Sequence, residues 1–428
     1  MCKRILSAIV IIALFSAVLG GCQDANEIDA VVRVLVIGID KGVTDKWRLT
    51  VQFSSMKETP GGGGGEEGGS TGGGTGNGYS HVTIDAPSFF EGIDMLGSSI
   101  SRKLFFTHAG TIIISERLAR EGILGDFIAP LIRYKQIRES AQLYVVKGEA
   151  MDFIVENQPT IGNTLSKSLE LAAKQPDNTG YTISVTLNDF YSALKSTHGQ
   201  PIMAIAAVND FKNFKRDGPR WKNEFKKGGE YKPEDLPRHG ENKIEFWGTA
   251  VFNRDKMVDE LTGGENRLLL MARNEFKRGF FTIRDPKSPD RIIAMDVLKD
   301  KNPKIKISFD EDGPVIDITI FLKGDILSIQ SRIHYEEDPL LSTLVTALEK
   351  DIKDDLDRLI NKCKNQGLDV FRFGESAAKY FATIEEWEKY YWNDKFKDAK
   401  INTKVDFSMR RTGTRLRSSP IPRLKGEE

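Results

Sequence analysis

A long amphipathic helix near the carboxyl end constrains the fold of this chain more than any other segment. Apolar side chains recur at steps of three and four residues through residues 339–366, the period of one helix face. Asp338 is suited to the N-cap, Pro339 to the first helical position and Gly367 to the position after the last turn. The opposite face carries Lys and Asp, so we expect one buried face, most simply against a β-sheet. The apolar positions are Leu340, Leu341, Leu344, Val345, Leu348, Ile352, Leu356, Leu359, Ile360 and Cys363.

The first half of the chain alternates between strand-like and helix-like segments. An apolar run at 31–40 and a period-two segment at 47–53 predict a hairpin. The alternation that follows predicts a mixed sheet with helices packed on it. Further strands are predicted at 80–84, 104–115, 141–146 and 202–208, and helices at 87–102, 116–133 with a break at 122–125, 149–156, 160–173 and 187–195 with Thr186 as its cap.

The second half is richer in strands. A hairpin is predicted at 243–258, a short helix at 264–271 and a final strand at 401–410. Residues 310–313 form a hairpin turn in this interpretation, because the Gly and Glu positions of an EF-hand calcium loop do not match. Taken together, the pattern predicts an α+β, multi-domain fold. Other strands are predicted at 279–284, 291–297, 304–309 and 315–322.

Changes of composition suggest the domain boundaries. Residues 61–78 are mostly glycine, and no packing there could offset the entropy of ordering the backbone, so a flexible insertion is expected. Residues 210–242 are dense in charge, with basic and aromatic side chains interleaved, which fits a solvated linker or a surface for anionic lipid headgroups. The predicted units are a signal peptide at 1–21, an N-terminal α+β domain at 22–209, the charged loop or linker at 210–242, a middle strand-rich region at 243–300, a C-terminal α+β domain at 301–412 and a basic tail at 413–428.

The first 22 residues are typical of an exported lipoprotein. Lys3 and Arg4 precede an apolar run at 5–19 that has the length of a signal-peptide core and is short for a membrane span. The run ends in Leu-Gly-Gly-Cys at 19–22, which resembles a bacterial lipobox with Cys22 as the lipidated residue. Two acyl chains would anchor the mature protein at the outer side of a membrane. An ordinary secretory signal or an uncleaved membrane helix are the alternatives.

Charge and cysteine content exclude some classes of function. Lys plus Arg and Asp plus Glu both total 61, so the net charge gives no support for nucleic-acid binding. Of the three Cys, Cys2 leaves with the signal peptide, Cys22 carries lipid and Cys363 remains. We therefore expect stability from a hydrophobic core instead of disulfides, with Cys363 a small apolar residue on the long helix.

Several motifs along the mature chain together resemble the Ger(x)C family of spore germination lipoproteins. The resemblance covers nearly the whole mature chain, although Gln23 replaces the Trp that usually follows the lipidated Cys. The most specific part lies between 366 and 396. The motifs are Cys22 with Asp24 and Glu27, residues 38–41, 101–108 and 248–252, and Gly367, Asp369, Phe371, Phe373, Gly374, Trp387, Trp392 and Phe396.

The resemblance implies the C-subunit of a nutrient germinant receptor. Such a protein is held by lipid on Cys22 at the outer face of the inner spore membrane, where it assembles with integral membrane A- and B-type subunits. It also implies an α+β fold, no catalytic activity and no cofactor. A solute-binding lipoprotein of a transporter and an exported hydrolase are the other hypotheses. The first of these would need two similar lobes around a cleft.

The sequence offers no recognised catalytic or metal-binding motif. It lacks His-Glu-x-x-His, Cys-x-x-Cys and Gly-x-Ser-x-Gly, and its five His are scattered singly. His108 is expected to be a hydrogen-bonded core residue within a strand. The aromatic cluster after the long helix is expected to anchor the core, and part of it is a candidate partner interface. The interface candidates are Phe371, Phe373, Gly374, Trp387 and Trp392.

Overall fold

Nine strands form one large mixed sheet in the computed structural model, which describes residues 31–54, 78–157, 165–217 and 225–411. The order across the sheet is third, second, first, fifth, sixth, seventh, eighth and ninth strand, with the short fourth strand also paired to the first. The first, fifth, sixth and seventh strands run parallel, and the others on this path pair antiparallel. The strands are β1 (Val31–Lys41), β2 (Trp47–Ser54), β3 (Tyr79–Ala86), β4 (Lys103–Phe105), β5 (Thr111–Ser115), β6 (Gln142–Val146), β7 (Ile202–Val208), β8 (Ile244–Asn253) and β9 (Lys256–Leu261).

Short helices connect these strands and cover the sheet. The helix at Leu187–Lys195 begins with a capping box, in which the Thr186 side chain accepts from the Asp189 N–H and the Asp189 side chain accepts from the Thr186 N–H. The helix at Ala150–Glu156 is held at the end of β1, where the Asp40 carboxylate accepts the N–H groups of Ala150 (2.6 Å) and Met151 (3.1 Å). The helices are α1 (Phe89–Ser99), α2 (Glu116–Ala119), α3 (Leu124–Arg133), α4 (Ala150–Glu156), α5 (Leu165–Ala172), α6 (Pro176–Thr179), α7 (Leu187–Lys195) and α8 (Gly263–Ala272).

A second, four-stranded sheet forms the rest of the fold. Its first three strands are an antiparallel meander and its last strand returns parallel to the third. These are β10 (Arg278–Arg284), β11 (Ile292–Asp310), β12 (Gly313–Ile329) and β13 (Lys400–Arg411). Between the last two strands lie α9 (Leu340–Asn365), α10 (Phe373–Ala377), α11 (Ile384–Tyr390) and α12 (Trp392–Phe396). Short 3₁₀ turns occur at Gly228–Glu230 and Ala378–Tyr380.

The predicted long amphipathic helix is confirmed as α9, which packs on β13 and on α8. Its C-terminus has the geometry predicted for Gly367, whose φ is +70°. The Gly367 N–H bonds the carbonyl of Lys364 (2.8 Å) and the Leu368 N–H bonds that of Cys363 (2.9 Å), a Schellman motif. The buried positions are Leu344, Leu348, Ile352, Leu356, Leu359, Ile360 and Cys363.

The start of this helix differs from the prediction. Pro339 is the N-cap, and the helix begins at Leu340. The Asp338 carboxylate accepts the hydroxyl of Ser342 (2.6 Å) and not a backbone N–H of the first turn. The predicted cap at Asp338 is therefore wrong by one residue.

The strand predicted at 104–115 is also divided in the structure. A turn separates β4 from β5, where the Ala109 N–H bonds the Phe106 carbonyl (2.9 Å). His108 lies exposed in this turn, so its assignment as a core histidine is wrong. Conversely, the strands predicted at 291–297 and 304–309 belong to the single strand β11, which contains irregularities near Lys299 and Lys301.

Sheet membership changes inside the region 243–300, which the sequence analysis treats as a middle unit. Its first hairpin, β8 and β9, completes the nine-stranded sheet. Its later strand β10 and the first part of β11 belong to the four-stranded sheet. The two sheets therefore meet around α8, which lies between β9 and β10 in the chain and contacts strands of both.

The α+β architecture predicted from the sequence is present, with mixed strand pairing and helices packed on the sheets. The two sheets differ in strand number and order. The two similar lobes that a transporter-type binding protein would need are thus not found among the described residues.

Candidate functional site at the junction of the two sheets

The residues proposed from the sequence as a partner interface are buried in the structure. Phe371, Phe373, Trp387 and Trp392 are each 3% exposed or less, and Gly374 is buried with them. Their rings therefore act as core and do not themselves form a surface.

A buried carboxylate lies at the centre of the cluster. Asp369, which is fully buried, accepts the N–H of Phe373 (3.1 Å), the N–H of Gly374 (2.8 Å) and the indole N–H of Trp392 (2.8 Å). Its burial outweighs these three donors and raises its pKa to about 6. One buried side chain thus fixes the start of α10 and the position of α12.

The edge of this aromatic cluster does reach solvent. Tyr380, Ile384 and Tyr391 are 63%, 78% and 69% exposed. Phe309, at the end of β11, contacts the ring of Tyr380 with centroids 5.9 Å apart. Four exposed apolar and aromatic residues therefore lie on or against the elements that carry the buried cluster, and we call them the exposed aromatic patch: Phe309, Tyr380, Ile384 and Tyr391.

The two sheets with their helices are the two units of the fold, and the nine-stranded sheet belongs to the first. The aromatic cluster, in the second unit, holds the segment 196–200 of the first unit. The Gln200 N–H bonds the Asp369 carbonyl (2.9 Å), and the indole N–H of Trp387 donates to the Thr197 hydroxyl (2.9 Å). The His198 ring stacks on Trp387 with centroids 5.2 Å apart. We call these contacts the junction clamp, because they join a loop after α7 to the residues that follow α9.

A cleft of about 470 Å³ lies on another side of the junction. It is bordered by Tyr181, by the turn at Gly228–Glu230, by α8, by the edge strand β10 and by α9. A Cβ on Gly229 would lie 2.6 Å from the Cα of Gly264, so only glycine allows the turn to approach α8 this closely. Several separate parts of the chain thus form one concave site.

Most charged groups around the cleft neutralise one another. The Lys227 ammonium contacts Asp351 (2.7 Å) and Asp355 (2.9 Å) on α9. Lys362 on the same helix contacts Glu265 at 3.3 Å. These partly buried pairs connect the 225–230 segment and α8 to α9.

Arg267, in the middle of α8, differs from these groups. It is 6% exposed, and its guanidinium lies 3.6 Å from the centroid of the Tyr181 ring. Its Nε donates to the Thr179 carbonyl (2.7 Å) and its Nη1 to the Phe280 carbonyl (2.8 Å). Burial lowers its pKa to about 10.

The sequence analysis missed Arg267, although a signal was present. A charged residue directly before the apolar run Leu268, Leu269 and Leu270 in a helix without a polar face is unusual, because such a charge must be buried. Its hydrogen-bond acceptors are the carbonyl of Thr179, which is distant in the chain, and the carbonyl of Phe280, which lies on another element. The spacing of residues in the sequence therefore predicts neither contact.

Other sequence-derived sites remain separate or lie outside the described residues. Cys22, the signal peptide and most of the insertion 61–78 are outside them. In the basic and aromatic segment 210–242, Phe211 and Phe214 contact His239, whereas Lys227 turns into the cleft. Lys195, the last residue of α7, lies over the Tyr191 ring, 4.5 Å from its centroid.

The described ranges contain neither a candidate metal site nor a helix that could span a membrane. No group of three or more His, Cys, Asp or Glu side chains is placed to hold a metal ion there. No helix within the same ranges is long and apolar enough to cross a membrane. Cys363 is buried on α9, and this burial raises the pKa of its thiol to about 12, as expected for a packed residue.

Two protein-family models match the chain and together span most of it. The model for the spore germination protein N-terminal domain matches residues 24–208. The model for the C-terminal domain of spore germination B3/GerAC-like proteins matches residues 247–413.

Similar full-length proteins and a solved structure agree with these matches. Spore germination protein KC of Bacillus subtilis (strain 168) is 23% identical, with 96% of each chain covered. The putative spore germination protein YfkR of the same organism is 24% identical over 94% of this chain and 95% of its own. The crystal structure of the GerBC protein matches with a TM-score of 0.52 and 15% identity, covering 87% of this chain and 96% of that one, which shows a shared fold.

Proposed function

Because this chain belongs to the Ger(x)C family of spore germination proteins, we propose that it is the C-subunit of a nutrient germinant receptor. In this proposal it acts in nutrient-triggered germination, as a non-enzymatic partner of integral membrane A- and B-type subunits. The observation that carries the proposal is the similarity to spore germination proteins through both units of the fold, from residue 24 to residue 413.

The family supports a role in germination and is not a known class of enzyme. The described part of the structure agrees with a non-catalytic subunit in one respect: two of its buried carboxylates, Asp40 and Asp369, accept backbone N–H groups at the starts of helices. A carboxylate that is satisfied by backbone N–H groups holds local structure and does not face a substrate.

We further propose a lipid anchor on Cys22 at the outer face of the inner spore membrane. The lipobox-like sequence at 19–22 supports it. Spores that carry Cys22→Ala should lose the protein from the membrane fraction and respond poorly to nutrient. Normal retention and a normal response of these spores would contradict the anchor.

The residues predicted as a partner interface are buried, so we propose the exposed aromatic patch beside them as the surface that contacts the other subunits. Aromatic residues such as Tyr and Phe are enriched at protein interfaces. Ile384→Glu should reduce the recovery of A- and B-type subunits with this protein from solubilised spore membranes. The matched control is Leu327→Glu, at another apolar residue that is 52% exposed. Equal recovery with both variants would remove the patch from the proposal.

Deletion of the protein from spores is the test of the function as a whole. Release of dipicolinic acid would be measured after nutrient and after a trigger that bypasses receptors. We expect the nutrient response to be lost and the bypass response to be retained. An unchanged response to a broad nutrient panel, in spores that also lack paralogous receptors, would overturn the proposed function.

A further inference from the structure

The cleft at the junction of the two sheets has the size and position of a small-molecule site. Its volume of about 470 Å³ lies in the range of about 300–1,000 Å³ that is usual for such sites. It is formed by elements of both units, and clefts between domains are common ligand sites. Neither a family match nor a relative's name assigns anything to it.

A buried cation in the cleft wall lacks a counter-ion. Among the described residues, no Asp or Glu forms a salt bridge with Arg267, which lies between the rings of Tyr181 (3.6 Å) and Phe281 (4.8 Å from the centroid). Its bonds to two backbone carbonyls satisfy donors without neutralising its charge. Burying a charge without a partner is costly, so an anion beside Arg267 would be stabilised.

The other ionised groups that face the cleft do not compete strongly for this role. Lys227 is held by Asp351 and Asp355, Lys362 by Glu265, and Arg358 by Asp355. Glu230 lies exposed at the rim. Four basic and four acidic side chains border the cleft, so its walls are neutral overall and a single negative charge on a ligand is tolerated.

The rest of the wall is apolar and aromatic. Leu268, Ile352 and Leu359 face the cleft from α8 and α9, and the half-buried ring of Phe281 faces it from β10. An apolar or aromatic group in a concave site of this kind loses water-accessible area when it packs on such a wall, which favours its binding.

We propose that the cleft binds a small organic acid, whose carboxylate pairs with Arg267 and whose apolar or aromatic body packs against Phe281 and the aliphatic wall of the cleft. The guanidinium supplies charge-assisted hydrogen bonds, and the wall formed by Leu268, Ile352 and Leu359 excludes water from them. This site goes beyond the proposed function and does not depend on it, because binding can be measured without germination.

The test compares acids with their neutral amides. The full chain, carried in lipid nanodiscs, is titrated with phenylacetate, 4-methylpentanoate, phenylacetamide and 4-methylpentanamide, and binding is followed by saturation-transfer NMR against empty nanodiscs. We expect the acids to bind at least about tenfold more tightly than the amides, the usual effect of losing a hydrogen bond between charged groups. Equal affinity of acid and amide, or no binding of either acid at about 10 mM, would overturn the proposal.

Two variants locate the binding. Phe281→Ala should weaken acid binding about threefold or more, whereas Phe280→Ala, at the neighbouring and 60% exposed position on the other face of β10, should leave it unchanged. Arg267→Gln should bring the acid affinity down to that of the amide. If either Phe281→Ala or Arg267→Gln does not fold, the acid–amide comparison still decides. An unchanged affinity in folded Phe281→Ala would place any acid binding elsewhere and refute the site.

Discussion

Asp369 shows at the residue scale how one buried carboxyl organises the segment after the long helix. Its pKa is raised from 3.8 to about 6 because burial disfavours the charged form more than the three donors favour it. Between these two values the folded protein binds a proton that the unfolded chain releases. The stability contributed by this carboxyl is therefore fully present below about 4 and is lost as the pH rises through about 6.

This titration predicts the behaviour of Asp369→Asn. The amide can accept from two of the three donors, but its NH₂ group then faces the third, so the free energy of unfolding should fall by about 1–3 kcal/mol. The deficit relative to the unmodified protein should be larger at pH 5 than at pH 7, because only the carboxyl gains stability on acidification. Urea unfolding at both pH values measures it.

The control for this prediction is Asp394→Asn, at an exposed position on α12. It should change the unfolding midpoint little at either pH. Asp40, whose pKa is also raised to about 6 by burial, is present in all the variants and so cancels in the comparison. A deficit in Asp369→Asn that is the same at pH 5 and pH 7 would mean that Asp369 does not titrate in this range.

At the element scale, the C-terminus of α9 depends on one glycine. Gly367 has a φ of +70°, which costs a residue with a Cβ about 1–2 kcal/mol. Gly367→Ala should therefore lower the free energy of unfolding by about 1 kcal/mol or more, although the nearest atom to the new Cβ, Cε of Lys397, belongs to a flexible side chain that can move. Urea unfolding followed by circular dichroism is the measurement.

Gly97→Ala provides the matched control with the opposite sign. Gly97 is exposed inside helix α1, and a Cβ there would meet no atom within 4 Å. Alanine at this position should stabilise the protein by about 0.5–1 kcal/mol, because it lowers the entropy cost of ordering the helix. If both glycine variants destabilise equally, the left-handed conformation of Gly367 is not what matters at the end of α9.

Prediction from sequence succeeded where a local pattern determines the structure. The stripe of α9, the left-handed Gly367 and the cap at Thr186 each follow from residues within one or two turns of each other. It failed at His108, because an apolar run continues through the residues where the chain turns between β4 and β5. Periodicity records burial, and it does not show where two buried strands separate.

The candidate site was harder to predict than the elements that form it. The cleft and the junction clamp depend on contacts such as Thr197 with Trp387 and Arg267 with Thr179, which lie 190 and 88 positions apart. Nothing local to either partner specifies such pairs. The aromatic residues after α9 were correctly expected in the core, whereas the exposed patch became visible only when the fold placed Phe309 beside Tyr380.

At the scale of the whole molecule, the junction clamp joins the two units through few bonds. The Thr197 hydroxyl accepts from the indole N–H of Trp387 at 2.9 Å, and the Gln200 N–H, three residues further along the chain, bonds the Asp369 carbonyl. The partly buried contacts of Lys227 and Lys362 with carboxylates join the same units on the cleft side. A subunit of this kind can pass a change from one unit to the other only if such contacts couple them.

Thr197→Val tests whether the clamp couples the units. Valine keeps the shape of threonine but removes the acceptor, so the indole N–H of Trp387 loses its partner, at a cost of about 1 kcal/mol. We expect amide hydrogen exchange to quicken at Gln200 in one unit and at Phe373 and Gly374 in the other, because these amides bond the Asp369 carbonyl and carboxylate. Thr197→Ser, which retains the hydroxyl, should exchange like the unmodified protein. Faster exchange at Gln200 alone would show a local contact without coupling, and the two units would then be joined mainly through α9 and the charged pairs beside the cleft.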